Sequence, residues 1–233
     1  MKKAIAGVVF GIVSAVGFNT VSAGVVLTFE GLNNFEPVAD YYDGGMGGLG
    51  TGPGPNDGIT FSANGLAYIP GKQSGTITPF PGDPSPPTVL LDDNTSAPAG
   101  SPVSTIMDVS GGFSGALLFY YIAIGRMPEI KIYSGLDGTG TLLADKTFST
   151  TGTELSNAVF SPAELIRFSG TAQSVLFVGG SDQLGMDNIT FVSVPEPAGW
   201  ISLTTGLGCA CLALKGVKSG KRFRANRRAN PSP

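Results

Sequence analysis

The chain has 233 residues, 42% hydrophobic and 13% charged, with 35 glycines, 17 prolines, a net charge of −3 and no histidine. Both cysteines, Cys209 and Cys211, lie in an apolar run near the C-terminus, so residues 24–194 lack a thiol or imidazole nucleophile, a disulfide and a zinc site of nitrogen or sulfur ligands. Those residues carry sixteen Asp and Glu against five Lys and Arg, a net charge of −11 that argues against nucleic acid as a partner.

Lys2 and Lys3, the small-residue apolar stretch Ala4 to Phe18 and the trio Val21-Ser22-Ala23 form a secretory signal pattern over 1–23, with a mature start at Gly24. The apolar part falls short of the ~20 residues that span a bilayer. Residues 24–193 are expected to be one exported domain with a single core. Its short β-branched and aromatic runs, divided by Gly and Pro and lacking a long 3.6-residue period, predict an all-β architecture.

Val25 to Glu30 is the first predicted strand. Tyr41 to Gly58 is too rich in Gly and Pro for a ladder and is expected to be a long loop. Strands are predicted at 58–62 and, more weakly, near Leu66 to Ile69. The proline density of Pro79 to Pro87 makes it a surface excursion or an edge. Thr88 to Leu91 and Val103 to Val109 follow, the latter alternating Val103, Thr105, Met107, Val109. Asp92 and Asp93 are expected in a polar loop before Asn94.

The continuous apolar run within Gly115 to Ala123 suits a strand buried on both faces. Glu129 to Tyr133 alternates, Ile130 and Ile132 to one side, and the Asp137-Gly138 turn leads into Thr141 to Ala144 as a hairpin. Ser161-Pro162 has the signature of a short helix start. Val175 to Val178 and Met186 to Val192 complete about ten strands, and a chain of that kind without a disulfide points to a two-sheet antiparallel β-sandwich of jelly-roll type.

Chemistry within the domain is sparse. Gly112-Phe113-Ser114-Gly115-Ala116 has the outline of a nucleophile elbow, but no histidine exists to activate Ser114. Asp137 and Asp145 do not have the spacing of a calcium-binding hand, so they are assigned to the turn. Glycoside hydrolysis needs two facing carboxylates, and the sequence singles out no pair. Exposed tyrosines could stack on sugar rings; Tyr120 and Tyr121 are assigned to the core, leaving Tyr41, Tyr42 and Tyr133 as candidate ligand residues.

The tail has three parts. Pro195 and Pro197 end the last strand and make a stiff, extended peptide. Trp200 opens an apolar run that continues to Leu214 and Gly216-Val217, which predicts a single transmembrane helix over about 199–217 with the indole at the interface. Lys215, Lys218, Lys221, Arg222, Arg224, Arg227 and Arg228, with no acid among residues 215–233, hold the end in the cytoplasm.

In this order, residues 194–228 resemble the PEP-CTERM sorting signal of exopolysaccharide-producing Gram-negative bacteria. The resemblance makes Val194, Pro195, Glu196 and Pro197 the recognition motif, an exosortase-type enzyme the processing partner, and the inner membrane a transient station on the way to the cell surface or extracellular matrix. Lys215 and Gly216 interrupt the pattern before the densest basic cluster, which blurs the inner edge of the helix.

Thr28-Phe29-Glu30-Gly31-Leu32, the Asp40 to Gly45 stretch and Gly185 to Phe191 are similar to domains placed ahead of such tails. Many jelly-roll carbohydrate-binding modules hold a structural calcium with a Glu from the first strand and an Asp from the last, and the likeness places Glu30 and Asp187 in those roles. The expected function is therefore non-enzymatic: a structural, adhesive or carbohydrate-binding surface protein associated with exopolysaccharide. The alternatives are a surface polysaccharide hydrolase working through paired carboxylates and a permanently membrane-anchored protein.

Overall fold

In the computed structural model, which describes residues 24–192, ten strands follow one another with only two single-turn 3-10 segments, Lys72–Ser74 and Leu155–Asn157. The strands are β1 (Val26–Leu27), β2 (Glu36–Pro37), β3 (Ile59–Phe61), β4 (Gly65–Tyr68), β5 (Val89–Asp92), β6 (Pro102–Ala123), β7 (Glu129–Tyr133), β8 (Leu142–Thr147), β9 (Glu164–Gly180) and β10 (Leu184–Val192). Every ladder between them is antiparallel, in the order β2-β4-β5-β10-β6-β9-β7-β8, with β1 added to β10 and β3 to β6. The all-β expectation holds. The expected signal segment 1–23, Cys209, Cys211, the motif Val194 to Pro197, Trp200 with its membrane helix and the basic tail all lie outside the described residues. Among the described residues no helix is long and apolar enough to cross a membrane.

Strands β6 and β9, 22 and 17 residues long, organise the molecule. The sequence predicts Val103–Val109 and Gly115–Ala123 as separate strands; they are one strand, because Gly112 and Gly115, at φ 68° and 97°, bend it without ending it. Gly170 in β9, at φ 93°, answers them where the register shifts between Ser114 and Ala116. The first half of β6 pairs with β3 and the second half with β10, while β9 follows β6 along both. The ladder is thus continuous.

Alternation fixes which side is packed: Val103, Thr105, Met107 and Val109 are buried as predicted, and so are Ile130 and Ile132. Ala67 and Leu90 of β4 and β5 and Leu27, Met186 and Ile189 of β1 and β10 join Ile59 and Phe61 of β3 and Ile130 and Ile132 of β7 in a single apolar cluster, so strands on both sides of β6 share one interior. The β7–β8 hairpin is formed, with Asp137 at φ 55° in its turn.

Three local expectations fail for visible reasons. The first strand stops at Leu27, since Phe29 turns to φ 61° and gives its N–H to the Tyr42 hydroxyl at 2.7 Å. Ser161 starts no helix; its backbone N–H bonds the Tyr121 carbonyl and its Oγ accepts the Tyr121 N–H, stitching it to β6. Asp92 and Asp93 are not in an open polar loop but are 0% and 5% exposed, Asp92 closing β5 and bonded to Thr105, Asp93 bonded to Ser181.

Candidate functional site

Two neighbouring places combine chemistry with access: a cleft on one side of β4, β5, β10 and β6, and a group of carboxylates at an irregularity in β10.

Leu91, Gly185 and Ile122 stand opposite one another in β5, β10 and β6 and line the cleft. A side chain at Gly185 would come within 2.9 Å of Ile122, so glycine keeps this part of the cleft open. Phe35, Tyr68 and Phe80 form an aromatic row, with ring centroids 5.2 Å apart from Phe35 to Tyr68 and 6.1 Å from Tyr68 to Phe80; Phe160 backs Phe80 at 6.1 Å. Asp182 and Gln183, from the turn between β9 and β10, supply the polar groups. The cavity is about 220 Å³, below the ~300–1,000 Å³ usual for drug-sized ligands, so it suits one ring at a time. Burial, with the Asp182 charge adding, raises the Tyr68 phenol above its ordinary value. Asp182 is the single acidic residue among the described residues lining this cleft.

In β10 the pairing with β6 slips after Asp187; β5 flanks β10 before this point and β1 after it. Asn188, at φ 48°, carries the kink. Asp187 is fully buried there: its Oδ2 accepts the Ser85 N–H at 3.0 Å and the Ser85 hydroxyl at 2.6 Å, and its Oδ1 accepts the Asn188 N–H at 2.7 Å. Glu30 accepts the Thr88 N–H at 2.8 Å and the Thr88 hydroxyl at 3.2 Å. Both carboxylates named from the sequence therefore grip one segment, Asp83 to Thr88, from two sides.

Asp83, which the sequence reading missed, completes the group. Both its carboxylate oxygens are buried, and the group faces the Asp187 carboxylate and the Ser85 backbone. Desolvation pushes both acids up, Asp187 to about 8, although Ser85 opposes the rise there. The ion pairs among the described residues involve Lys131 alone, so none reaches Asp83, Asp187 or Glu30. No three Asp or Glu side chains among the described residues close on one point as a ready metal cage. A lone acid inside the proline-rich stretch 79–87, just ahead of β5, was the available signal.

The tyrosines fare differently. Tyr42 is 5% exposed and packs edge-on against Phe29 in the core, which corrects its assignment as a stacking surface. Tyr41 is half-buried against Tyr42, beside Glu30 in a shallow open depression. Tyr133 is half-buried in β7, opposite Leu142 and Ser174. Tyr121 joins the core as expected. The aromatic row of the cleft uses Phe35, Tyr68 and Phe80 instead, residues 45 positions apart in sequence that only the β2-β4-β5 pairing gathers.

No family model and no curated protein matches the sequence. Among solved structures the chain shows distant likeness to a carbohydrate-binding module of a Cellvibrio mixtus lichenase solved with cellotriose, at 12% identity and a TM-score of 0.31, over 52% of this chain and 89% of that one. A point mutant of the family 29 module CBM29-2 aligns at 15% identity and a TM-score of 0.32, over 62% and 91%. The enzymatically active domain of a bacteriophage CBA120 tailspike protein aligns at 14% identity and a TM-score of 0.34, over 59% and 19%. At these scores neither a fold detail nor a ligand is carried across.

Proposed function

We propose that the chain is an exported, non-enzymatic carbohydrate-binding protein of the cell surface or extracellular matrix, with a jelly-roll-like sandwich domain and a sorting tail at residues 194–228. The observation that carries the binding role is the cleft: a row of aromatic rings beside a carboxylate and an amide. Flat aromatic faces cover the apolar faces of a sugar ring while Asp182 and Gln183 bond its hydroxyls, and the small volume selects one residue of a glycan. Hydrolysis is the weaker reading, since two carboxylates must flank a glycosidic bond and Asp182 stands alone in the lining. The PEP-CTERM-like tail supports delivery by an exosortase-type enzyme through a transient inner-membrane stage, with exopolysaccharide as the partner met outside. Calcium is proposed as a structural ion near Glu30 and Asp187, whose oxygen donors in an acidic domain suit a hard cation.

The test is glycan binding by the full chain, measured by affinity electrophoresis and calorimetry against soluble polysaccharides. Binding to at least one neutral polysaccharide is expected, weakened tenfold or more in Tyr68→Ala and in Phe35→Ala with no release of reducing sugar. Binding that survives both substitutions unchanged would move the site elsewhere.

A further inference from the structure

The three rings of the cleft do not make one flat platform. Phe35 and Tyr68 are tilted by 51° to one another and Tyr68 and Phe80 by 42°, so the row curves along the cleft wall. A sugar face covers one such ring, whereas a compact cation can meet the negative faces of several. The polar end of the cleft is negative and fixed. Asp182 stands at φ 62° in the turn 180–183, which the Gln183 N–H closes on the Gly180 carbonyl at 2.8 Å. Beside it, Ser181 gives its N–H to the Ser101 carbonyl at 2.9 Å and its hydroxyl to Asp93, and the Gln183 carbonyl accepts the Ile124 N–H at 2.9 Å. The carboxylate is therefore presented from a turn tied down before and after it. Partial burial, with the Asp93 charge adding, raises Asp182 above its ordinary value, and the Asp182 charge in turn acts on the Tyr68 phenol. A positive group held near both would relieve this accumulation of negative charge. No Lys or Arg among the described residues lines the cleft to supply it.

We propose that the cleft selects a protonated amino sugar, a hexosamine unit with a free ammonium group, which lies on Asp182 and the face of Tyr68 while Phe35, Phe80, Leu91 and Ile122 cover the apolar part of the ring. The inference rests on the carbohydrate reading above and narrows its substrate class. An N-acetylated or plain hexose offers Asp182 no charge, and a uronic acid brings a further negative charge into a cleft without a cation. The order of preference is therefore amino sugar, neutral sugar, uronic acid. Because the cavity of about 220 Å³ admits one ring, a single sugar residue carries the discrimination, whatever its linkage. The net charge of −11 over residues 24–194 attracts any polycation, and salt removes that long-range attraction far more than it weakens a direct contact with Asp182.

The experiment is an NMR titration of the full-length protein, in mildly acidic buffer at about 0.15 M salt, with methyl glucosaminide, methyl glucoside and methyl glucuronide. The first and last each differ from the glucoside in one substituent. The glucosaminide is expected to bind about tenfold more tightly than the glucoside, and the glucuronide not measurably. Asp182→Asn keeps a side chain that tolerates the left-handed φ of 62°, and it is expected to bring glucosaminide and glucoside to equal affinity. Equal amide-exchange protection of β6 and β9 in both proteins shows that the variant is folded. Equal affinities in the natural protein, or a preference that persists in Asp182→Asn, overturns the amino-sugar selection and keeps the carbohydrate reading. Binding of a neutral polysaccharide without any of the three glycosides does the same. Methylammonium bound as tightly as the glucosaminide, with the glucoside not bound at all, overturns the proposal and the carbohydrate reading together.

Discussion

Glu36 and Asp92 are both 0% exposed, yet their carboxylates are driven in opposite directions. Burial works against the charge of each. Glu36 overcomes it with four donors: Leu49 and Thr51 N–H groups on Oε1, each at 3.0 Å, and the Asn33 N–H and Thr51 hydroxyl on Oε2, at 2.8 and 2.6 Å, so its acidity ends up strengthened. That carboxylate is what orders the glycine-rich loop, and Gly47 is required beside it because a side chain there would come 2.6 Å from Oε1. Glu36→Gln replaces two acceptor sites with an amide nitrogen facing donors, and we expect a loss of about 2–4 kcal/mol in urea denaturation. Asp92 has the Thr105 hydroxyl on Oδ1 at 2.8 Å and no partner on Oδ2, and burial, helped by the Asp93 charge, lifts it to about 7. A carboxyl raised in the folded state contributes stability that is whole below its unfolded value near 4 and disappears as pH climbs to about 7. The slope from Glu36 lies elsewhere, below its unfolded value of 4.5, and has the opposite sign. Stability measured in chelator should therefore fall between pH 5 and pH 7, and Asp92→Asn should flatten part of that fall; an unaltered slope in the variant would show that Asp92 ionises freely.

At the level of elements, what could be read from the sequence is what a local pattern encodes. The alternation of Val103 to Val109 and of Glu129 to Tyr133, and the Asp137-Gly138 turn, specify strands and a hairpin because side-chain period and turn residues act over a few positions. The length of β6 was hidden, since glycine at 112 and 115 reads equally as a turn or as a bulge, and only the presence of β9 alongside decides for the bulge. Glu30 and Asp187 were named through a family likeness, and Glu30 stands beyond the end of β1; the contact of Ser85 with Asp187 was not legible, because it joins a proline-rich stretch to β10 over about a hundred residues of chain. The cleft was illegible for the same reason, because Phe35, Tyr68 and Phe80 belong to no shared period. Tyr42 was misassigned because its hydroxyl could meet a backbone N–H inside the core, which removes the usual penalty for burying a phenol.

For the whole molecule, charge is strongly segregated along the sequence. Residues 24–194 carry a net charge of −11 and residues 215–233 carry seven positive charges with no acid, an asymmetry that supports the export and sorting proposed above. If the tail serves delivery, the working molecule is the acidic domain alone, and a cut at the Pro195–Pro197 sequence, beyond the end of β10 at Val192, would part the two. Mass spectrometry of the protein recovered from the surface fraction should then find a C-terminus close to Val194–Ala198, and changing Pro195 and Pro197 to Ala should leave an uncut form in the inner membrane. An intact Arg228 on surface-exposed protein would make the tail a permanent anchor and would return the domain to a membrane-tethered role.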